Sequence, residues 1–172
     1  MLIVNIISSF FVAAIMTNLT EWISHKYILH GLGKKKDSFF HFHFSHHNIS
    51  LKNKFVDPDY KLGFFKSAPY RREVYSLVGL LLLNITWLWT WPMLFYWLMF
   101  FTALYFWCHA KSHNDVEWCR KYLSHHYDHH VYDANNNWCV IFPLFDYIFG
   151  TRSKGTYDKN GKPIRIKHQM AD

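Results

Sequence analysis

The stretch from Val74 to Cys108 is 35 residues long and contains no Asp, Glu, Lys, Arg or His. One helical membrane crossing needs about 20 apolar residues, with about 17 as a lower limit, so this stretch can supply two short crossings. Trp91-Pro92 divides it, because proline disfavours helical geometry in the residue before it and the surrounding tryptophans suit a membrane interface. We therefore predict crossings near residues 74–90 and 92–108, in preference to two core helices of a soluble protein.

The N-terminal stretch, residues 1–20, also lacks charged residues and histidines. A cleaved signal is disfavoured, because no Lys or Arg precedes the apolar run and no A-x-A site closes it. We expect a retained helix that crosses near residues 2–22, continues through "NLTEWISHKYILHG" and ends near Gly31 and Gly33. The predicted fold is all-α, with three crossings, or four if "KLGFFKSAPYRREVYSL" inserts. The charges of that last segment favour an interfacial position.

The basic residues indicate the orientation. All 19 Lys and Arg lie between Lys26 and Arg72 or between Lys111 and Lys167. The positive-inside rule then places the N-terminus and the turn at Pro92 outside, with a cap of residues 23–72 and 109–152 on the cytoplasmic face of a single domain, 1–172. Anionic lipid headgroups are a sufficient partner for the net charge of +7. We expect no nucleic-acid partner, because the aromatic residues are concentrated in the uncharged spans.

Ten histidines occur in four groups, "HKYILH", "HFSHH", "HAKSH" and "HYDHH", all on the predicted cytoplasmic side. Neutral imidazole is the commonest metal ligand, and ten such rings without a metal would leave many polar atoms in need of partners. The sequence therefore predicts a metal centre within the helical cap. Its candidate ligands are His25, His30, His43, His46, His47, His109, His113, His126, His129 and His130.

The spacing of these groups indicates how ions could be shared. A helix advances about 100° per residue, so steps of three or four place His109 and His113, or the three histidines of each H-x-x-H-H group, on one face to hold one metal. His25 and His30 are about 140° apart, so we expect them to approach from two flanks of the helix or to serve different ions. Two ions are needed, because no first-row ion accepts ten nitrogens. Imidazole suits iron, zinc, copper and nickel alike.

The other histidines and nearby carboxylates have weaker expectations. His41 and His125 adjoin the groups and could support the ligands from outside, while His168 lies in a polar tail. His126 is preferred to His125 as a ligand, because only His126 completes the H-x-x-H-H spacing. Three aspartates could accept the second ring N–H of a histidine or could be solvated surface carboxylates, namely Asp115, Asp128 and Asp133.

The order and spacing of the four groups, together with "VIFPLFDYIFGTR" at residues 140–152, resemble the membrane fatty acid hydroxylase and sterol desaturase superfamily. The resemblance implies a non-haem centre of two iron ions that activates dioxygen and inserts one oxygen atom into a C–H bond of a lipid. It also implies that the ten histidines are the ligands. Zinc can replace iron in purified protein, because it generally outcompetes ferrous iron for nitrogen sites, but it has no redox chemistry.

The resemblance leaves alternatives open. With no haem or flavin domain and no Gly-rich dinucleotide fingerprint, we expect a separate ferredoxin-like or cytochrome electron donor. Bacterial carotenoid ring hydroxylases are also similar, but their third group is spaced more widely than "HAKSH" and they usually lack an ending like "FDYIFGT". We therefore place fatty acyl hydroxylation first, carotenoid or sterol hydroxylation second and desaturation third. A membrane metal transporter or store would instead carry ligands within the crossings, and the stretch from Val74 to Cys108 has no His, Asp or Glu.

Overall fold

Two long helical segments, Leu2–Lys34 and Pro92–Asn114, dominate the fold. We describe it from a computed structural model covering residues 1–160 and 163–164. The predicted all-α class is confirmed. The tail residue His168 lies outside the described residues. The helices in chain order are α1 (Leu2–Ile23), α2 (Phe42–Lys52), α3 (Asp59–Lys66), α4 (Ala68–Leu83), α5 (Trp87–Thr90), α6 (Pro92–Asn114), α7 (Val116–Tyr122), α8 (Ser124–Val131) and α9 (Leu144–Ile148).

Helices α1 and α6 pack against each other along the apolar half of the molecule. Ala13 of α1 is fully buried against Leu94 and Leu98 of α6, and its small side chain permits close approach of the two helices. Near the N-terminus, Trp91 Nε1 donates to Asn5 Oδ1 at 2.7 Å. The outward face of α1 carries exposed Leu, Ile, Val and Phe side chains, as expected of a surface that faces lipid.

Two helical runs among the described residues are long and apolar enough to cross a membrane, Leu2–Lys34 and Pro92–Asn114. Residues 74–90 instead belong to α4 and α5, which are separated by a turn after Leu83. Helix α4 has 16 residues, or about 24 Å, compared with about 30 Å for the hydrocarbon core of a bilayer. The crossing near 74–90 and the face occupied by the cap therefore remain predictions. The helix break at Trp91-Pro92 is where proline is expected to place it.

Polar contacts attach the cap to the C-terminal end of α1. Glu21 Oε1 accepts from the Val140 backbone N–H at 2.6 Å, and Asn18 Nδ2 donates to the Phe142 carbonyl at 2.7 Å. Trp22 packs with Trp138, Cys139 and Phe145 in a buried cluster beside these bonds. The segment that follows α8 is thus held against the end of α1, where the first histidines begin.

Candidate metal centre

The ten predicted histidines meet in the cap, and none of them is more than 7% exposed. Nine of them form two groups, and within each group the possible ligand atoms lie within 4.8 Å of one another. His126 adjoins the second group, with its Nε2 3.0 Å from His113 Nε2. The first group consists of His25, His30, His43, His47 and His129, and the second of His46, His109, His113 and His130.

A π-helical turn, Ser24–Leu29, explains how His25 and His30 enter the same group. Its hydrogen bonds link residues five apart, and the His30 backbone N–H donates to the His25 carbonyl at 2.9 Å. A step of five therefore returns to one face here. Both histidines reach one group, so the alternative that they serve different ions was wrong; the separation of about 140° assumed α-helical geometry. π turns of this kind often occur at functional sites.

The H-x-x-H-H triplets are divided between the groups. In α2, His43 and His47 face the first group, while His46 faces the second. In α8, His129 faces the first group and His130 the second. The expectation that each triplet holds one metal was wrong. The middle histidine of each triplet, His46 in α2 and His129 in α8, lies on the flank of its helix that faces the other group.

The two groups adjoin each other and form one centre. The rings of His47 and His130, one from each group, are stacked with their centroids 4.0 Å apart and an interplanar angle of 15°. The His43 and His46 centroids, also one from each group, are 5.9 Å apart. An ion held by one group would therefore lie close to an ion held by the other.

In the first group, the outer ring nitrogens donate to backbone carbonyls. His25 Nδ1 donates to the Trp138 carbonyl and His129 Nδ1 to the Asn136 carbonyl, each at 2.6 Å. Because a carbonyl oxygen only accepts, both Nδ1 atoms carry the hydrogen, and in a neutral ring Nε2 then bears a lone pair. The His129 Nε2 lies 3.2 Å from the Nε2 atoms of His30 and His47.

In the second group, two of the acceptors for the outer ring nitrogens are carboxylates. His46 Nδ1 donates to Asp57 Oδ2 and His109 Nδ1 to Glu73 Oε1, each at 2.6 Å. His113 Nδ1 donates to the Phe55 carbonyl at 2.9 Å. The sequence did not identify Asp57 or Glu73, although Asp57 follows the "HFSHH" group and ends the "NKFVD" loop.

Both carboxylates are themselves oriented. The Asp59 backbone N–H donates to Asp57 Oδ1 at 2.9 Å, and the Tyr60 hydroxyl donates to Glu73 Oε2 at 2.6 Å. Burial raises the pKa of Asp57 to about 6. Phe55, which supplies the carbonyl for His113, adopts φ of 80°, a conformation that bulky residues rarely tolerate away from functional sites.

Burial also determines the charge of the ligand candidates in α2 and α8. Removal from water lowers the pKa of His43, His46 and His130 well below the usual value, and that of His129 to about 4. Neighbouring imidazoles lower these pKa values further. The rings are therefore neutral at pH 7, and their Nε2 lone pairs are free to bind a cation.

The unpaired nitrogens indicate that cations belong in this centre. Within the described part of the chain, the Nε2 atoms of His46 and His130 are buried without a hydrogen-bond partner. A buried polar atom without a partner costs about 1–3 kcal/mol. Lone pairs facing one another at about 3 Å repel as well, and a divalent cation between them would remove both penalties. The residues present thus fit a pair of nitrogen-bound metal ions.

His41 and His125 lie outside both groups. The His41 ring bonds through Nδ1 to the Gly33 carbonyl at 2.9 Å, and the His125 ring through Nε2 to the Val140 carbonyl at 2.8 Å. Each side chain therefore holds a backbone segment near the centre in position through a hydrogen bond. His126 is the member of the "HH" pair whose ring lies beside the second group.

The three aspartates named from the sequence make other bonds. Asp115 accepts from Lys111 Nζ at 2.6 Å and caps α7 through the Trp118 N–H. Asp128 accepts from the Gly155 N–H and the Tyr157 hydroxyl. Asp133 accepts from Asn136 Nδ2 at 2.6 Å and so orients the residue whose carbonyl accepts from His129.

The "FDYIFGT" ending supports the first group through the backbone. Asp146 is fully buried, and its two oxygens accept from the Trp138 and Cys139 backbone N–H groups at 2.9 Å. The Thr151 hydroxyl donates to the same carboxylate at 2.7 Å. Asp146 therefore fixes Trp138, whose carbonyl in turn orients His25.

A cavity of about 810 Å³ connects the centre to the apolar half of the molecule. Its walls come from α1, α4 and α6 and include Phe10, Leu80 and Leu98. At the cap end, the wall includes four of the candidate ligands, His25, His43, His46 and His109. A hydrocarbon chain lying in this cavity would reach the metal centre from the membrane side.

The fold and site describe a helical protein with two runs long and apolar enough to cross a membrane and with buried histidine clusters that could hold metal ions. A sequence model of the fatty acid hydroxylase family matches residues 10–151, and the chain belongs to that family. The predicted resemblance is confirmed. Membership makes the chain a membrane hydroxylase of the oxidoreductase class, with histidine clusters that can bind metal. Searches of curated proteins and of solved structures found no match to this chain.

Proposed function

We propose that the protein is a membrane di-iron monooxygenase that hydroxylates a C–H bond of a fatty acyl lipid. Dioxygen is the oxidant, and a separate ferredoxin-like or cytochrome donor supplies electrons. The observation that carries the proposal is the shared wall of the cavity, because candidate ligands such as His46 and apolar residues such as Leu98 line the same space. Five histidines would hold each ion, the first group holding one and the second group with His126 holding the other.

Bound iron would supply the one-electron chemistry that activates dioxygen, which no side chain of this protein can perform. The chain's own residues prepare the site for it. Burial keeps the imidazoles neutral, and the carbonyls and carboxylates at Nδ1 direct Nε2 toward the ion positions. The apolar walls hold the hydrocarbon against the centre and exclude water from it.

The membrane arrangement follows from the same features. We propose three or four crossings with the histidine cap on the cytoplasmic face, where the basic residues are concentrated. The substrate would then enter the cavity from the bilayer without passing through water, while a soluble electron donor would approach the cap.

The test uses full-length protein in lipid nanodiscs, loaded anaerobically with ferrous iron and given a reductant and isotopically labelled dioxygen. Mass spectrometry of the lipids should show products that have gained one labelled oxygen atom. His129→Ala is the matched control and should form no product. Protein that holds two iron ions yet leaves every supplied acyl lipid unchanged would overturn the proposal. A loss of two hydrogens without oxygen gain would indicate desaturation instead.

A further inference from the structure

The two histidine groups differ in what holds their outer nitrogens. In the first group, His25 and His129 donate to uncharged backbone carbonyls. In the second, His46 donates to the Asp57 carboxylate and His109 to that of Glu73. Asp57 is 1% exposed and Glu73 7% exposed, so neither charge is screened by water.

A carboxylate affects a metal ligand in two ways that a carbonyl does not. It raises the basicity of the opposite ring nitrogen by drawing the Nδ1 proton toward itself, and it brings a negative charge near the cation. Two carboxylates at one position offset the two positive charges of a divalent ion, and in a buried site this Coulomb interaction is strong.

In the described part of the chain, the ring nitrogens of the first group bond to backbone carbonyls and to other histidines. One carboxylate near this group, Asp146, accepts from the backbone of Trp138. Lys34 lies one turn beyond His30 on the same helical run and adds a positive charge on that side. With His126 counted in the second group, each group offers five neutral imidazoles, so the carboxylates are the difference between the groups.

We propose that the two metal positions are unequal and that the position formed by His46, His109, His113, His126 and His130 fills first and holds its ion more tightly. Asp57 and Glu73 are the positioning residues that create the difference. The inference rests on the proposed function only in assuming that two groups hold two ions, and it does not depend on the reaction. A protein with a single ion would carry it at the carboxylate-supported position.

The test is a titration of metal-free protein in detergent with Zn²⁺ against a chromogenic chelator. We expect two classes of site in the wild type. Asp57→Asn and Glu73→Gln should each weaken the tighter class about 10- to 100-fold and leave the weaker class in place. The matched controls are Asp37→Asn and Glu117→Gln, which alter exposed carboxylates and should change neither class.

Ligand variants assign each class to a group. His113→Ala should remove the tighter class, and His30→Ala the weaker one. Tyr60→Phe removes the hydroxyl that orients Glu73 and provides a milder variant if Glu73→Gln does not fold. Its expected effect is a smaller loss of affinity in the tighter class alone.

Three results would overturn the inference: equal affinities in the wild type, loss of the tighter class in His30→Ala, or equal weakening of both classes in folded Asp57→Asn and Glu73→Gln protein. The proposed reaction can be rejected independently of this inference. Two unequal zinc classes in a protein whose iron-loaded form leaves lipids unchanged would retain the inference and reject the hydroxylase.

Discussion

The cap and the membrane-facing half of the molecule are held in place by different kinds of contact. In the cap, polar rings such as His25 and His109 each have a specific partner at 2.6 Å, so position depends on single bonds. In the other half, α1, α4 and α6 surround an apolar cavity through many weak contacts, none of which is individually decisive. We therefore expect substitutions in the cap to abolish the centre, and those around the cavity to change which lipid fits.

The largest effect is expected for His47→Ala. His47 belongs to the first group, and its ring stacks on His130 of the second, so its loss disturbs both ion positions. Affinity for zinc should fall by more than the roughly 10- to 100-fold caused by loss of an outer partner, and product should disappear. Metal analysis and lipid mass spectrometry measure both. His41→Gln, outside the groups, is the control, and equal losses in the two variants would contradict the ligand assignment.

Asp146→Asn should have the next largest effect. An amide supplies one acceptor oxygen in place of two, so one of the Trp138 and Cys139 N–H groups loses its partner. The expected cost is about 1–3 kcal/mol of stability, together with weaker zinc binding in the first group through the Trp138 carbonyl. Thermal unfolding with and without zinc checks both effects. Unchanged unfolding would show that the carboxylate does not organise this loop.

A smaller and more selective effect is expected for Gly79→Leu in α4. Gly79 lines the cavity, and a Cβ added there meets no atom within 4 Å, so the new side chain can extend into the space without a clash. Activity toward the longest accommodated acyl chain should fall about 10- to 200-fold, with shorter chains little affected. Competition between acyl chains of different length measures this preference. Val78→Leu, on the exposed face of the same helix, should leave it unchanged.

The smallest effect is expected for Asp115→Asn. Asp115 pairs with Lys111 at the surface and caps α7, and asparagine is an equally good capping residue. Zinc occupancy and product formation should therefore stay near wild-type values, because no candidate ligand depends on this carboxylate. A loss of about tenfold or more in zinc affinity would instead indicate a direct role at the centre.

The histidines that meet in the cap could be named from the sequence because their spaced repeats are visible in the chain. Their distribution between two ions could not be predicted. That distribution depends on the π turn at Ser24–Leu29 and on the facing flanks of α2 and α8, whereas the spacing argument assumed regular α-helix and separate faces.

The supporting carboxylates were missed for a related reason. Glu73 lies 36 residues before His109 and stands beside two arginines, where it resembles an ordinary interfacial charge. The loop that brings Asp57 to His46 contains Lys54 and Phe55 at positive φ, with angles of 56° and 80°, which no local sequence preference for those residues predicts. Both contacts are products of tertiary packing.

The widened turn after Ile23 lets the chain carry one residue more than a regular helix would hold there. Deletion of a single residue between Ser24 and Leu29 would leave His25 and His30 four apart, a step that an ordinary α-helix also returns to nearly one face. Winding all six residues as a regular α-helix would instead turn His30 about 140° from His25 and away from the ions. Relatives with the two histidines five apart should therefore keep the widened turn, and relatives with them four apart should have an ordinary helix in its place.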